Sequence, residues 1–159
     1  MSFKTADLSD ENEGIAQIVL PGLRNYGGKS RFHGQIVTIK SFNDNSKVRE
    51  QVRSPGHGKV LVIDNEGSMR CAMLGDMLAA AAIENGWSGV VIHGCLRDSV
   101  DIAAMEIGVK ALDTNPLRSV KKGLGEVNIE LEFLGASFRP GEFLYSDEDG
   151  IILSATPLL

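Results

Sequence analysis

Two short apolar runs constrain this chain most: Lys59-Val60-Leu61-Val62-Ile63-Asp64 and Gly89-Val90-Val91-Ile92-His93. Neither has a polar face. A strand of that kind has to be covered on both sides, as in a parallel sheet with crossover connections. Between the runs, Met77 to Asn85 is alanine-rich and helical, with Asp76 placed to cap its start and Gly86 placed to end it. A strand–helix–strand unit implies parallel pairing and a right-handed crossover. Asp98 to Met105 reads as a further helix, and Gly108 to Leu112 as a third strand.

The flanks differ in character. Thr5 to Glu13 reads as a short helical segment, and Pro21 to Ser30 as glycine-rich and irregular. Gly34 to Lys40 alternates like a strand. Asn45 to Val52 reads as a short helix, with Ser46 as its N-cap. Val127 to Phe133 alternates again. Glu142 to Tyr145 and Ile151 to Leu153 flank the acidic turn Ser146 to Gly150, a hairpin with glycine at its close. The expected class is therefore α/β, a parallel centre joined to antiparallel strands. With 159 residues, no repeat and no linker, one domain over 1–159 is expected.

The net charge of −5 argues against a surface coated by nucleic acid, which needs clustered Lys and Arg. Lys121-Lys122 is too small a patch to count. No run of about 18 apolar residues is present, so no membrane span is expected. The N-terminus has no apolar signal core. Cys71 and Cys95 form no metal-binding spacing and read as reduced thiols of a cytoplasmic protein.

Ligands of parallel sheets bind beyond the carboxyl ends of the strands. Two segments fall there. Leu74-Gly75-Asp76-Met77-Leu78 opens the alanine-rich helix, whose free N–H groups suit a carboxylate or phosphate. Asp76 is placed either to cap that helix or to hold a metal-bound water. His93-Gly94-Cys95-Leu96-Arg97-Asp98 leaves the second strand. Asp98 offers a hard oxygen ligand to a magnesium-like cation. Arg97 supplies fixed positive charge where an enolate oxygen would develop. Asp101, three residues on, is placed to support the metal from behind. Taken singly, each segment also reads as a plain helix start, with Arg97 in a surface ion pair. One helix and one strand separate them, so both return to the same sheet edge.

These residues resemble the class II aldolase/RraA-like family. It contains 4-hydroxy-4-methyl-2-oxoglutarate aldolases and proteins named regulator of ribonuclease activity A. The matching stretches are Tyr26-Gly27-Gly28, Phe32 to Lys40, Gly58 to Asp64, Gly67-Ser68, Gly75 to Leu78, Gly86-Trp87, Gly94 to Asp98, Gly123 to Glu126 and Asp149 to Ile152. They cover nearly the whole chain. The resemblance implies a ββα sandwich of the swivelling-domain type, assembled as a trimer or a pair of trimers. It implies that Gly75 to Leu78 and Arg97 bind a 2-oxo acid, that Asp98 binds Mg2+ or Mn2+, and that Asp101 completes an Arg-Asp-x-x-acid pattern. The implied reaction cleaves 4-hydroxy-4-methyl-2-oxoglutarate to two pyruvates, with Arg97 and Asp76 catalytic and oxaloacetate decarboxylation as a second activity. The alternative is a non-catalytic regulator that binds ribonuclease E or its associated helicases. Longer aldolases of the family carry a C-terminal extension with a further acid, which has no counterpart before Leu159. Some regulator-named members lack the acid after the arginine, which Asp98 retains here.

Other signals carry less. Gly28-Lys29-Ser30 lacks the strand–loop–helix context of a phosphate loop. Gly123-x-Gly125 reads as a turn. His33, His57 and His93 are scattered, and only His93 sits near the proposed edge, where a structural role competes. Trp87 reads as a packing residue.

Overall fold

The two apolar runs become adjacent parallel strands. In the computed structural model, which describes residues 2–159, the elements in chain order are α1 (Thr5–Glu11), β1 (Gln17–Ile18), β2 (Arg24–Asn25), β3 (Phe32–Lys40), α2 (Ser46–Val52), β4 (Val60–Asp64), α3 (Asp76–Glu84) and β5 (Gly89–Leu96). They continue as α4 (Ser99–Ala103), β6 (Gly108–Thr114), β7 (Glu126–Val127), β8 (Leu131–Phe133), β9 (Ala136–Phe138), β10 (Phe143–Asp147) and β11 (Gly150–Ser154). Strands β3, β4, β5 and β6 are parallel neighbours, in register at Ile36–Val60, Val60–Gly89 and Gly89–Gly108. The full sheet order is β1-β11-β10-β3-β4-β5-β6-β2, with β7 on β3 and β8–β9 as a separate pair.

Every residue of β4 is buried, because the side-chain alternation of a strand feeds two cores. Leu61 and Ile63 point into a core with Val48, Val52, Ala79 and Ala82 of helices α2 and α3. Val60 and Val62 point the other way, into a core closed by Leu131, Phe133, Ala136 and Phe138 of the β8–β9 pair. The outcome is a mixed sheet with helices on one face and further β structure on the other. Each such fully buried Val, Leu or Ile contributes about 1.5–3 kcal/mol. The hairpin expected near the C-terminus is present: Asp147 pairs with Gly150, and a two-residue loop joins β10 to β11.

The sheet is curled. Lys110 on β6 donates from Nζ to the Asp147 carbonyl on β10 at 2.7 Å, although three strands separate β6 from β10 in the sheet. That lysine is 2% exposed. A flat sheet could not bring these strands together.

Several local expectations are corrected. Position N-cap of α2 is Asn45, not Ser46, and the Asp44 carboxylate instead accepts from the Ser46 N–H at 2.9 Å and hydroxyl at 2.6 Å. Gly75, not Asp76, is at the N-cap of α3. The helix expected from Asp98 to Met105 shrinks to α4: Asp98 stands outside it as the N-cap, in a left-handed conformation with φ 57°, and the helix ends at Ala103. The alternating stretch Val127 to Phe133 breaks at Asn128, φ 62°, into β7 and β8. Strand β5 runs on to Leu96 across an irregularity between Ile92 and Cys95, and the irregular segment Pro21 to Ser30 contains β2, which pairs with β6. Gly86, φ 80°, follows α3 as expected.

Candidate active site

Three loop segments are laced together beyond the carboxyl end of β5. Met73 N–H donates to the Cys95 carbonyl at 2.9 Å, and Arg97 N–H to the Leu74 carbonyl at 2.9 Å. On the other side, Ala72 N–H donates to the Leu117 carbonyl at 2.7 Å. This small ladder fixes the start of α3 against the end of β5. It also delivers Gly75 to Leu78 and Arg97-Asp98 to one cleft, as the sequence implied.

Gly75 is the point of closest approach. The Asp98 carboxylate oxygen Oδ2 accepts the Asp76 N–H at 3.0 Å. A Cβ on Gly75 would stand 2.8 Å from that oxygen and 3.5 Å from Arg97 Nε. The backbone of Gly75 is extended, so its role here is space rather than conformational freedom. Asp98 therefore caps α3 from another element, and no local sequence signal marks that role. Its Oδ1 accepts no hydrogen bond from the described residues, and neither oxygen of Asp76 does. The N–H groups of Met77 and Leu78, orphans of the first turn, meet no acceptor among the described residues.

Arg97 is half-buried and, among the described residues, in no ion pair; its Nη1 reaches the Pro116 carbonyl at 3.4 Å. The surface ion pair that would have made it a bland residue is absent among the described residues. Asp101 does not join the cleft. It is exposed on the first turn of α4, where an acid suits the helix dipole.

Sequence reasoning missed the opposite contributors. Asn45, Arg49 and Arg53 from the α2 region, and Arg118, Ser119 and Lys121 from the loop before β7, also line the cleft. Nothing in their spacing marks them, because they come from two segments about 70 residues apart. Asp44 holds those segments together. Besides Ser46, its carboxylate accepts the N–H groups of Lys122 at 2.8 Å and Leu124 at 3.3 Å. Burial pushes the Asp44 carboxyl up, but these hydrogen bonds outweigh burial and hold it below the usual carboxylate range. The cleft encloses about 260 Å³. Pockets for drug-sized ligands start at about 300 Å³, so this one suits a small acid.

Among the described residues, no three His, Cys, Asp or Glu side chains cluster as a protein-built metal cage. The donors present suit a different type of site. A magnesium-like ion takes one or two carboxylates and completes its shell with water and substrate, and Asp98 Oδ1 and Asp76 offer that. His93 lies apart from the cleft: Nδ1 is 2.9 Å from Asp64 Oδ1, and the ring stacks on Phe133 at 4.4 Å. Trp87 packs over Gly56 and donates to the Ser54 carbonyl at 3.0 Å. Cys71 and Cys95 are buried, and burial pushes both thiols up.

Fold and cleft together define an α/β protein with a small, cation-lined cleft beyond the carboxyl end of a parallel sheet. Residues 5–153 match the family model described as RraA-like, Aldolase/RraA. The chain is 54% identical over 159 residues to a protein of Laribacter hongkongensis named "Putative 4-hydroxy-4-methyl-2-oxoglutarate aldolase", with both chains fully covered. A protein of the same name from Pseudomonas putida is 49% identical over 156 residues, covering 98% of this chain and 96% of that one. Two solved structures each superpose with a TM-score of 0.96. One is described as the RNA-processing inhibitor RraA from Thermus thermophilis, at 41% identity, covering 100% of this chain and 96% of that one. The other is described as an S-adenosylmethionine:2-dimethylmenaquinone methyltransferase from Geobacillus kaustophilus, at 46% identity, covering 98% and 97%. The chain belongs to the RraA-like aldolase family.

Proposed function

We propose that the protein is a divalent-metal-dependent lyase that cleaves 4-hydroxy-4-methyl-2-oxoglutarate to two pyruvates and also decarboxylates oxaloacetate. One shared fold carries proteins of three different names, so the choice rests on the cleft. The observation that carries the reading is the convergence of Arg97 and Asp98 on Gly75, where Asp98 Oδ2 sits 3.0 Å from the Asp76 N–H and Oδ1 has no partner among the described residues.

In this reading the Met77 and Leu78 N–H groups hold the substrate's carboxylate at the start of α3. Gly75 leaves room for it. Asp98, with Asp76 beside it, would hold Mg2+ or Mn2+, which when bound supplies a Lewis acid for the 2-oxo carbonyl. Asp76 orients a water that takes the 4-hydroxyl proton. The C3–C4 bond then breaks, its electron pair forms the C2–C3 double bond while the carbonyl pair moves onto the former 2-oxo oxygen, and the C4 fragment leaves as a ketone, the first pyruvate. Arg97 stabilises the enolate oxygen with a charge already in place. Protonation of the enolate at C3 gives the second pyruvate. Loss of CO2 from oxaloacetate reaches the same enolate.

The layers fit a ββα sandwich of the swivelling-domain type, with 1–159 as one domain working in the cytoplasm. We read the assembly as a trimer or a pair of trimers. Met77 at 79% exposure and Val100 at 85%, on the two helices that flank Arg97-Asp98, support a neighbour beside the cleft. The likeness to the RNA-processing inhibitor keeps a second reading in play, a protein-binding regulator of ribonuclease E or its helicases.

The test is pyruvate release from both acids, coupled to lactate dehydrogenase, with Mg2+ and then with EDTA. Turnover should vanish with the chelator. Asp98→Asn keeps an oxygen to cap α3 but loses the charge, and should fall roughly 100-fold or more. Full turnover by Asp98→Asn would overturn the assignment. No turnover by the wild type with any divalent ion would leave the regulator, and a pull-down with ribonuclease E would then decide.

A further inference from the structure

Five cationic side chains line the cleft against two carboxylates, in a chain of net charge −5. None of the five belongs to an ion pair found among the described residues. Glu50, beside Arg49 in sequence, pairs with Lys47 instead. Gathering unpaired charge of one sign in a small space raises self-repulsion and focuses a field that draws in anions.

The charges fall into two groups. Arg97 lies with both carboxylates at the junction of β5 and α3. The other four come from α2 and the loop that Asp44 ties to it. Arg49 and Arg53 are one helical turn apart, so they project from one side of α2. The planar guanidinium matches a carboxylate through paired N–H donors. In the lyase reading one carboxylate and one enolate oxygen already have partners, namely the α3 amides and Arg97. The α2 arginines are surplus to that chemistry.

We propose that Arg49 and Arg53, with Arg118, form a second anion subsite that grips the distal carboxylate of a 2-oxo diacid, so the cleft selects diacids over monoacids. The inference rests on the lyase reading for which end of the substrate reacts. The subsite itself stands on charge and placement. These residues act on specificity and not on the bond that breaks.

The experiment compares the wild type with Arg49→Gln/Arg53→Gln, both exposed side chains, in Mg2+. Two turnover readouts share one enolate: pyruvate release from oxaloacetate, a diacid, and hydrogen–deuterium exchange at C3 of pyruvate, a monoacid, followed by NMR. A third readout needs no turnover: binding of 2-oxoglutarate and of pyruvate by calorimetry. The wild type should bind 2-oxoglutarate about tenfold or more tightly than pyruvate, the scale of a charge-assisted contact. The double variant should lose that preference. The ratio of oxaloacetate kcat/KM to the pyruvate exchange rate should fall about tenfold, mainly through KM. A wild type that binds both acids equally, or a variant that lowers both turnover readouts in step, overturns the subsite. A wild type that turns over neither acid but keeps the diacid preference, lost in the variant, overturns the lyase and upholds the subsite.

Discussion

At the residue scale, the cleft depends on one missing side chain. Gly75 could be alanine as far as backbone conformation goes. The obstacle is Asp98 Oδ2, which would lie 2.8 Å from the new methyl group. Gly75→Ala should therefore shift Asp98 off the Asp76 N–H while leaving the fold intact. Displacements of about 1 Å can cost roughly 100-fold in rate. We expect a loss of that order in Mg2+-dependent pyruvate release, with a melting temperature lowered only by the lost cap, about 2–4 °C; unchanged kinetics would remove Gly75 from the site. Asp98 itself has two separable roles. Asp98→Ala removes a helix cap as well as a charge, and should cost about 1 kcal/mol more stability than Asp98→Asn in urea unfolding. Equal stability of the two variants would mean that the 3.0 Å contact is not a cap.

At the element scale, the parallel strands approach one another around Phe32. A Cβ at Gly89 would meet its ring at 2.3 Å, and a Cβ at Gly108 at 2.0 Å. Both positions are the first residues of β5 and β6, paired across the sheet. Phe32 on β3 fills the space that the two glycines leave. Gly108→Ala should destabilise by about 1–3 kcal/mol through overpacking. Phe32→Ala should cost about 3–5 kcal/mol. In the double variant the costs should not add, because the methyl group enters the space that the ring vacated. Strict additivity in denaturant titrations would refute this packing account. The apolar runs announced β4 and β5. Phe32 as the partner of the two glycines emerged only from the fold.

At the scale of the whole molecule, closure of the curled sheet depends on a few buried polar groups. Lys110 reaches the Asp147 carbonyl from β6. Burial pushes its amine down, although Asp147, Glu148 and Asp149 partly oppose that. The Asp147 carboxylate also holds the start of α1, accepting the Thr5 N–H at 2.8 Å and hydroxyl at 2.6 Å. Burial pushes this carboxyl up, and the bonds from Thr5, Asp149 and Gly150 more than reverse it. Asp44 is held low in the same way. A carboxyl whose folded pKa is depressed stabilises the fold fully above its unfolded value, here 3.8, and loses that contribution as pH falls through the lower folded value. Stability should therefore be steady near neutrality and fall below about pH 4. Asp147→Asn should be less stable near pH 7 by about 1–3 kcal/mol, and should converge on wild type at strongly acid pH. Urea midpoints across pH would check this, and parallel curves would contradict it.

Local physics made much of this protein legible in its sequence. Apolar runs without a polar face had to become covered parallel strands, and an alanine-rich stretch ended by glycine had to become a helix between them. Segments that leave adjacent parallel strands return to one edge, so the sequence already implied that Gly75 to Leu78 and Arg97-Asp98 lie together. Contacts between distant segments were left to the tertiary structure. Asp98 rather than Asp76 relieves the start of α3, because only folding sets its left-handed backbone against that helix. Asp101 falls outside the cleft, exposed on the first turn of α4, although its spacing from Asp98 placed it behind the metal. Arg49, Arg53 and Arg118 become one cationic wall only because the buried Asp44 joins α2 to a loop about 80 residues on. Periodicity reports how a segment meets its own neighbours, whereas the charge of a cleft depends on which distant segments the whole fold brings beside it.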